Sequence, residues 1–74
     1  MCYDYSLLLG KMKECGFTQE SLGKAVGMSE STLNLKLNNK ASFKQKEIRK
    51  ICKVLGIPKG KIGLYFFTEK VQKN

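Results

Sequence analysis

Seventy-four residues, 42% of them hydrophobic, allow one domain with a modest core and leave no room for a second. A formal charge of +8 points to an acidic partner, nucleic acid before a membrane surface. The chain has no histidine, scattered acids and three cysteines without metal-type spacing, so zinc sites, acid-base pairs, nucleophilic triads and a disulfide framework all lack their usual members. The expectation is a non-enzymatic protein with no cofactor, metal or small-molecule ligand. No apolar run reaches the roughly eighteen residues that span a bilayer. The start Met-Cys-Tyr-Asp-Tyr lacks the basic and apolar regions of a signal peptide, so a cytoplasmic location without membrane contact is expected.

Asp4 is placed to cap a first helix over residues 5–15, in which Tyr5, Leu8, Leu9, Met12 and Cys15 follow the spacing of one buried stripe. Cys15 and Cys52 read as small core residues and Cys2 as an exposed thiol. Gly16 ends that helix, and Phe17 precedes the next cap, where it can staple against Leu22 or a neighbour. Thr18 and Ser29 are both N-cap types, eleven residues apart, ahead of helices over residues 19–26 and 30–38. Gly27 supplies the left-handed stop between them. Gly23 in mid-helix costs about 1 kcal/mol against Ala, which close approach of the second helix would offset. Leu22, Val26, Met28, Leu33 and Leu37 join the pair, and Asn38 and Asn39 close it, since Asn tolerates left-handed geometry.

Ser42-Phe43-Lys44-Gln45 has a capping-box pattern opening a fourth helix that runs to Leu55, with Ile48, Ile51, Cys52 and Leu55 facing inward. Gly56 stops it, and Pro58 suits the first turn of a short fifth helix over residues 58–63 or slightly beyond. The ordered core is expected over about residues 4–67, with a polar tail over 68–74. Tyr65, Phe66 and Phe67 either close the core under helices one and five or make a dimer contact, and residues 65–71 could instead form a short strand at such an interface.

The two capped helices and their single tight turn have the pattern of a helix-turn-helix. Gln19-Glu20-Ser21-Leu22-Gly23, Val26-Gly27-Met28-Ser29 and Ser31-Thr32-Leu33 resemble the phage Cro and lambda-repressor type of DNA-binding domain. Asp4-Tyr5-Ser6, Leu35-Lys36-Leu37-Asn38, Phe43-Lys44-Gln45, Glu47-Ile48 and Tyr65-Phe66-Phe67 extend the likeness to short, single-domain phage or prophage proteins of that class. The chain departs from it at Asn39, where Gly is common, and at Leu35, where a polar or small base-contacting residue is common. The resemblance implies an all-α, five-helix, lambda-repressor-like domain occupying residues 1–74. It also implies a Cro-like repressor that acts by operator occupancy on double-stranded DNA, as a homodimer at least when bound to a two-fold related site.

In that docking mode the N-terminal part of helix three reaches base edges, which makes Glu30, Ser31, Asn34 and Leu35 the candidate base contacts. Asn34 suits adenine, Ser31 several bases, and Leu35 a thymine methyl or else solvent or a dimer partner. Glu30 either accepts from cytosine or turns back on the helix N-terminus, the favoured role. Gln19 matches the family's phosphate clamp, and Lys36, Asn38, Lys40 and Lys44 follow as phosphate contacts by position. Residues 36–53 hold seven basic side chains and one acid, Glu47. The rival reading is a protein-interaction module, antirepressor-like, that keeps the helix-turn-helix as a scaffold; Leu35 and Glu30 support it. An acidic and apolar helix-three face favours the rival, whereas a continuous basic rim around Asn34 favours DNA.

Overall fold

The computed structural model describes residues 2–70. Five α-helices follow in order: α1 Ser6–Glu14, α2 Gln19–Val26, α3 Glu30–Leu37, α4 Gln45–Leu55 and α5 Ile62–Phe66, the last entered through a 3-10 turn at Lys59–Lys61. The described chain is all-α, and none of its helices is long and apolar enough to cross a membrane. The expected tail lies partly outside the described residues, at 71–74.

One core gathers a strip from every helix: Leu8 and Met12 from α1, Leu22 and Val26 from α2, Leu33 and Leu37 from α3, Ile48, Ile51 and Leu55 from α4, and Phe66 from α5. Phe43, half-buried between α3 and α4, meets Tyr5 and Phe66 edge-on, each at 5.4 Å between ring centroids. Ile57, just past the end of α4, is also buried, although its position outside any helical pattern gave no sign of it.

Local chemistry sets the helix ends. Asp4 accepts from the Ser6 backbone N–H at 2.9 Å, but it stands one residue before the N-cap, Tyr5, and is not the cap expected of it. Thr18 and Ser21 bond reciprocally at the start of α2, each side-chain oxygen taking the other's backbone N–H. Ser29 accepts from the Thr32 N–H at 3.1 Å and so caps α3. Asn39 follows α3 in the left-handed region, at φ 62°. Its side chain accepts from the Tyr3 N–H at 2.8 Å and donates to the Tyr3 carbonyl at 2.9 Å, completing both backbone bonds of a residue far away in sequence. Glycine at this position would supply the backbone conformation but neither bond.

Four further expectations need correction. Leu9 and Cys15 are exposed, because the buried strip of α1 is narrow: Tyr5, Leu8 and Met12 fill it, and Leu9 lies about 100° around the helix from Leu8. Cys15 instead directs its thiol to the Leu55 carbonyl at 3.8 Å. The α4 capping pair is not Ser42 and Gln45: the helix begins two residues later, with Lys44 as N-cap and the Glu47 carboxylate accepting the Lys44 N–H at 2.8 Å. Glu47 wins this role because it also meets the Lys36 ammonium. The fifth helix shifts to Ile62–Phe66, since burying Phe66 requires helical backbone beyond Gly63.

Of the C-terminal aromatics, Phe66 is buried and Tyr65 half-buried against the core, while Phe67 is exposed and touches Tyr3 edge-on. The interface strand suggested for residues 65–71 does not form within the described part. Glu69 instead bridges Tyr3 of the same chain in antiparallel fashion, flanked by Asp4 N–H to Thr68 O at 2.7 Å and Lys70 N–H to Cys2 O at 3.0 Å.

Candidate functional site

The α2–α3 unit is assembled by backbone geometry before any side chain acts. Gly27 takes φ 76°, and Gly27 and Met28 both return their N–H groups to the Gly23 carbonyl. A Cβ on Gly23 would run into the Met28 carbonyl oxygen, so the bare residue is required where the turn crosses α2. The sequence expectation of a close approach holds, but it is the turn, not the body of α3, that comes close. Leu33 then faces the core at zero exposure, which fixes the rotation of α3 and turns Glu30, Ser31, Asn34 and Leu35 outward.

Those four residues and Gln19 line one shallow depression between the start of α2 and the outer face of α3. Asn34 donates its amide to the Gln19 side-chain oxygen at 3.0 Å. Leu35, 45% exposed, stands beside them as a large apolar group that the fold leaves in water. Glu30 is the single charged residue lining the depression. Its expected turn back onto the helix end is not observed: Ser29 holds the cap, and the carboxylate makes no hydrogen bond among the described residues.

Among the described residues, no basic side chain lines the depression. Lys36 is buried at 6% exposure, with its ammonium on Glu47. Burial alone would raise the Glu47 carboxyl, but the hydrogen bonds from Lys36 and the Lys44 N–H, with both ammonium charges, outweigh it and hold the group below its ordinary value. Asn38 spends its amide on the Asn34 carbonyl at 2.8 Å. Lys40 and Lys44 are exposed, one in the α3–α4 connection and the other at the α4 cap. Sequence reasoning missed Glu47 and Asn39. The signal for Glu47 was present: it is the one acid among seven bases, and an isolated counter-charge in such a run marks an internal pair.

The described chain is a small all-helical protein whose α2–α3 depression is lined by polar residues, one carboxylate and an exposed leucine. The chain belongs to the DUF739 family, described as a protein of unknown function, which it matches over residues 1–69. It is similar to the solution structure of the modulator of repression (MOR) of the temperate bacteriophage TP901-1 from Lactococcus lactis, with 47% identity over 97% of both chains and a TM-score of 0.78. No curated protein matches it.

This likeness corrects the expected function. A structure similar over nearly its whole length is a modulator of repression. The expected Cro-like repressor acting by operator occupancy is therefore set aside, and with it double-stranded DNA as the partner and the homodimer on a two-fold site. The physical reason lies in α3: two of the four side chains that were to read bases are an exposed leucine and a carboxylate, and the lysine of that helix is withdrawn into the molecule.

Proposed function

We propose that this chain regulates a phage-type repression circuit by binding a protein of that circuit, with α2 and α3 as a helix-turn-helix scaffold of the Cro and lambda-repressor kind. The outer face of α3 is the contact surface. Leu35 is the anchor, Gln19 and Asn34 supply a pre-oriented pair of amides beside it, and Glu30 contributes one negative charge at the edge.

The observation that carries this reading is the withdrawal of Lys36 from the face on which Leu35 is displayed. A DNA-reading helix needs cations beside its base-contacting residues, because phosphate contacts supply most of the affinity. An apolar side chain at the centre of a polar patch is instead how protein interfaces build a desolvated anchor. The similarity to a phage modulator of repression supports the same direction.

The test is titration calorimetry of the full chain against a purified repressor protein of the phage type. Leu35→Asp is expected to abolish binding while leaving the melt unchanged, since the residue is exposed. A selection from random duplex DNA is expected to return no enriched site. Enrichment of a palindromic site that Asn34→Ala abolishes would sink the proposal.

A further inference from the structure

A second surface lies on other helices. Between α4 and α5 runs a cleft with an apolar floor of Phe43, Ile48, Ile62 and Phe67, bordered by Arg49 and continuing toward Lys59. Phe67 is half exposed, at 51%, so the floor opens to solvent instead of closing over. Lys46 and Lys53, three residues before and four after Arg49, extend the positive edge along the same side of α4. All of these cations are exposed. The described acids do not answer them: Glu14, Glu20 and Glu47 pair with Lys11, Lys24 and Lys36, and no acid lines the cleft.

We propose that this cleft docks an acidic amphipathic segment of a partner protein. Its apolar side chains would seat on Ile48, Ile62 and Phe67 while its carboxylates meet Arg49 and Lys59. Charge selects this occupant. A second copy of the chain, itself carrying +8, would bring the same cationic edge against this one in a two-fold contact. An anionic segment gains from that edge, and only one with apolar side chains also removes the floor from water.

The probe is a synthetic helix with leucines at i, i+3, i+4 and i+7 and glutamates elsewhere, beside a control carrying lysine for every glutamate, each titrated into the full chain. Amide shifts on binding of the acidic peptide are expected to fall on residues bordering the cleft. Arg49→Glu with Lys59→Glu should weaken that binding about tenfold or more, with the melt retained because both side chains are exposed. Leu35→Asp should bind the acidic peptide as wild type does, which separates this surface from the α3 face: loss of one function leaves the other readable. The proposal is overturned by no binding, by equal affinity for the lysine control, by shifts centred on α3, or by a dimer of the chain alone that Phe67→Asp dissociates.

Discussion

The outer faces of α3 and α4 lie side by side in sequence and differ in almost every physical respect. α3 displays Ser31, Asn34 and Leu35 with one carboxylate, unpaired among the described residues, whereas α4 displays Lys46, Arg49, Lys50 and Lys53, its one acid, Glu47, being paired with Lys36. Net charge therefore says little about which surface is the reading head. Four of the fourteen basic side chains stand on α4, a helix other than the one whose position suggests recognition, and the cation on α3 is spent inside the protein. A charge run locates an electrostatic field, and a contact surface still has to be located by burial.

The largest effects test whether the two faces share one foundation. Leu33 of α3 and Ile51 of α4 have zero exposure and belong to the same core. Leu33→Ala and Ile51→Ala should each cost about 2 to 5 kcal/mol in chemical denaturation, by lost transfer energy and the cavity left behind. In a chain this short that is a large part of the total stability. A fully cooperative melt within a few degrees of wild type would show that α3 and α4 turn other faces to the core.

Lys36→Ala tests the claim that separates the faces. Leaving Glu47 without its ammonium partner should cost about 3 kcal/mol, the lower edge for breaking a buried pair, because the carboxylate is partly exposed and keeps the Lys44 N–H. A loss of only a few tenths would make Lys36 a surface lysine and restore a cation to the α3 face. The pair also has a pH signature. The folded value of Glu47 lies below its ordinary 4.5, so its contribution is complete above that pH and is lost as the pH falls through the folded value. The acid limb of the stability curve should accordingly flatten in Lys36→Ala.

Helix positions were largely legible because they follow from caps and periodicity, which are local. Thr18, Ser29 and Gly27 give the bounds of α2 and the start of α3 as observed, and Leu33 and Leu37 give the rotation of α3. Bonds between distant segments were not legible. Asn39 reads in sequence as a left-handed stop, and its two bonds to Tyr3 depend on the N-terminal segment returning to that point. Lys36 follows the same rule: its position on the helix is local, and its inward direction depends on where Glu47 lies. Glu30, Ser31, Asn34 and Leu35 share the outer side of α3, and Gln19 joins them from the start of α2, a neighbour no local pattern announces.

Asn39→Gly is expected to have a smaller effect, about 1 kcal/mol of destabilisation in a denaturant titration. Glycine relieves the positive φ while both bonds to Tyr3 are lost, so the two terms oppose. A neutral or stabilising result would reduce Asn39 to a tolerated stop and leave the Tyr3–Glu69 bridge without its anchor to the end of α3.

The finest test of the comparison is a difference expected to be close to zero. In the proposed contact Leu35 would act by being removed from water, a contribution that does not depend on counterions. Leu35→Ala should weaken binding to the protein partner by about 1 to 2 kcal/mol, within the range for an apolar anchor, and by the same amount at low and high salt. The cationic edge of α4 behaves oppositely. The loss caused by Arg49→Glu toward an acidic peptide should shrink as salt rises, since exposed charges are screened beyond about 10 Å at roughly 0.1 M ionic strength. If instead the Leu35→Ala penalty collapsed in high salt, the α3 face would be working through charge that the structure does not place there. A salt-independent Arg49→Glu penalty would likewise mean that Arg49 contributes packing and not field. Only when the first penalty is flat and the second is salt-dependent do the two neighbouring helices carry two physically different contacts.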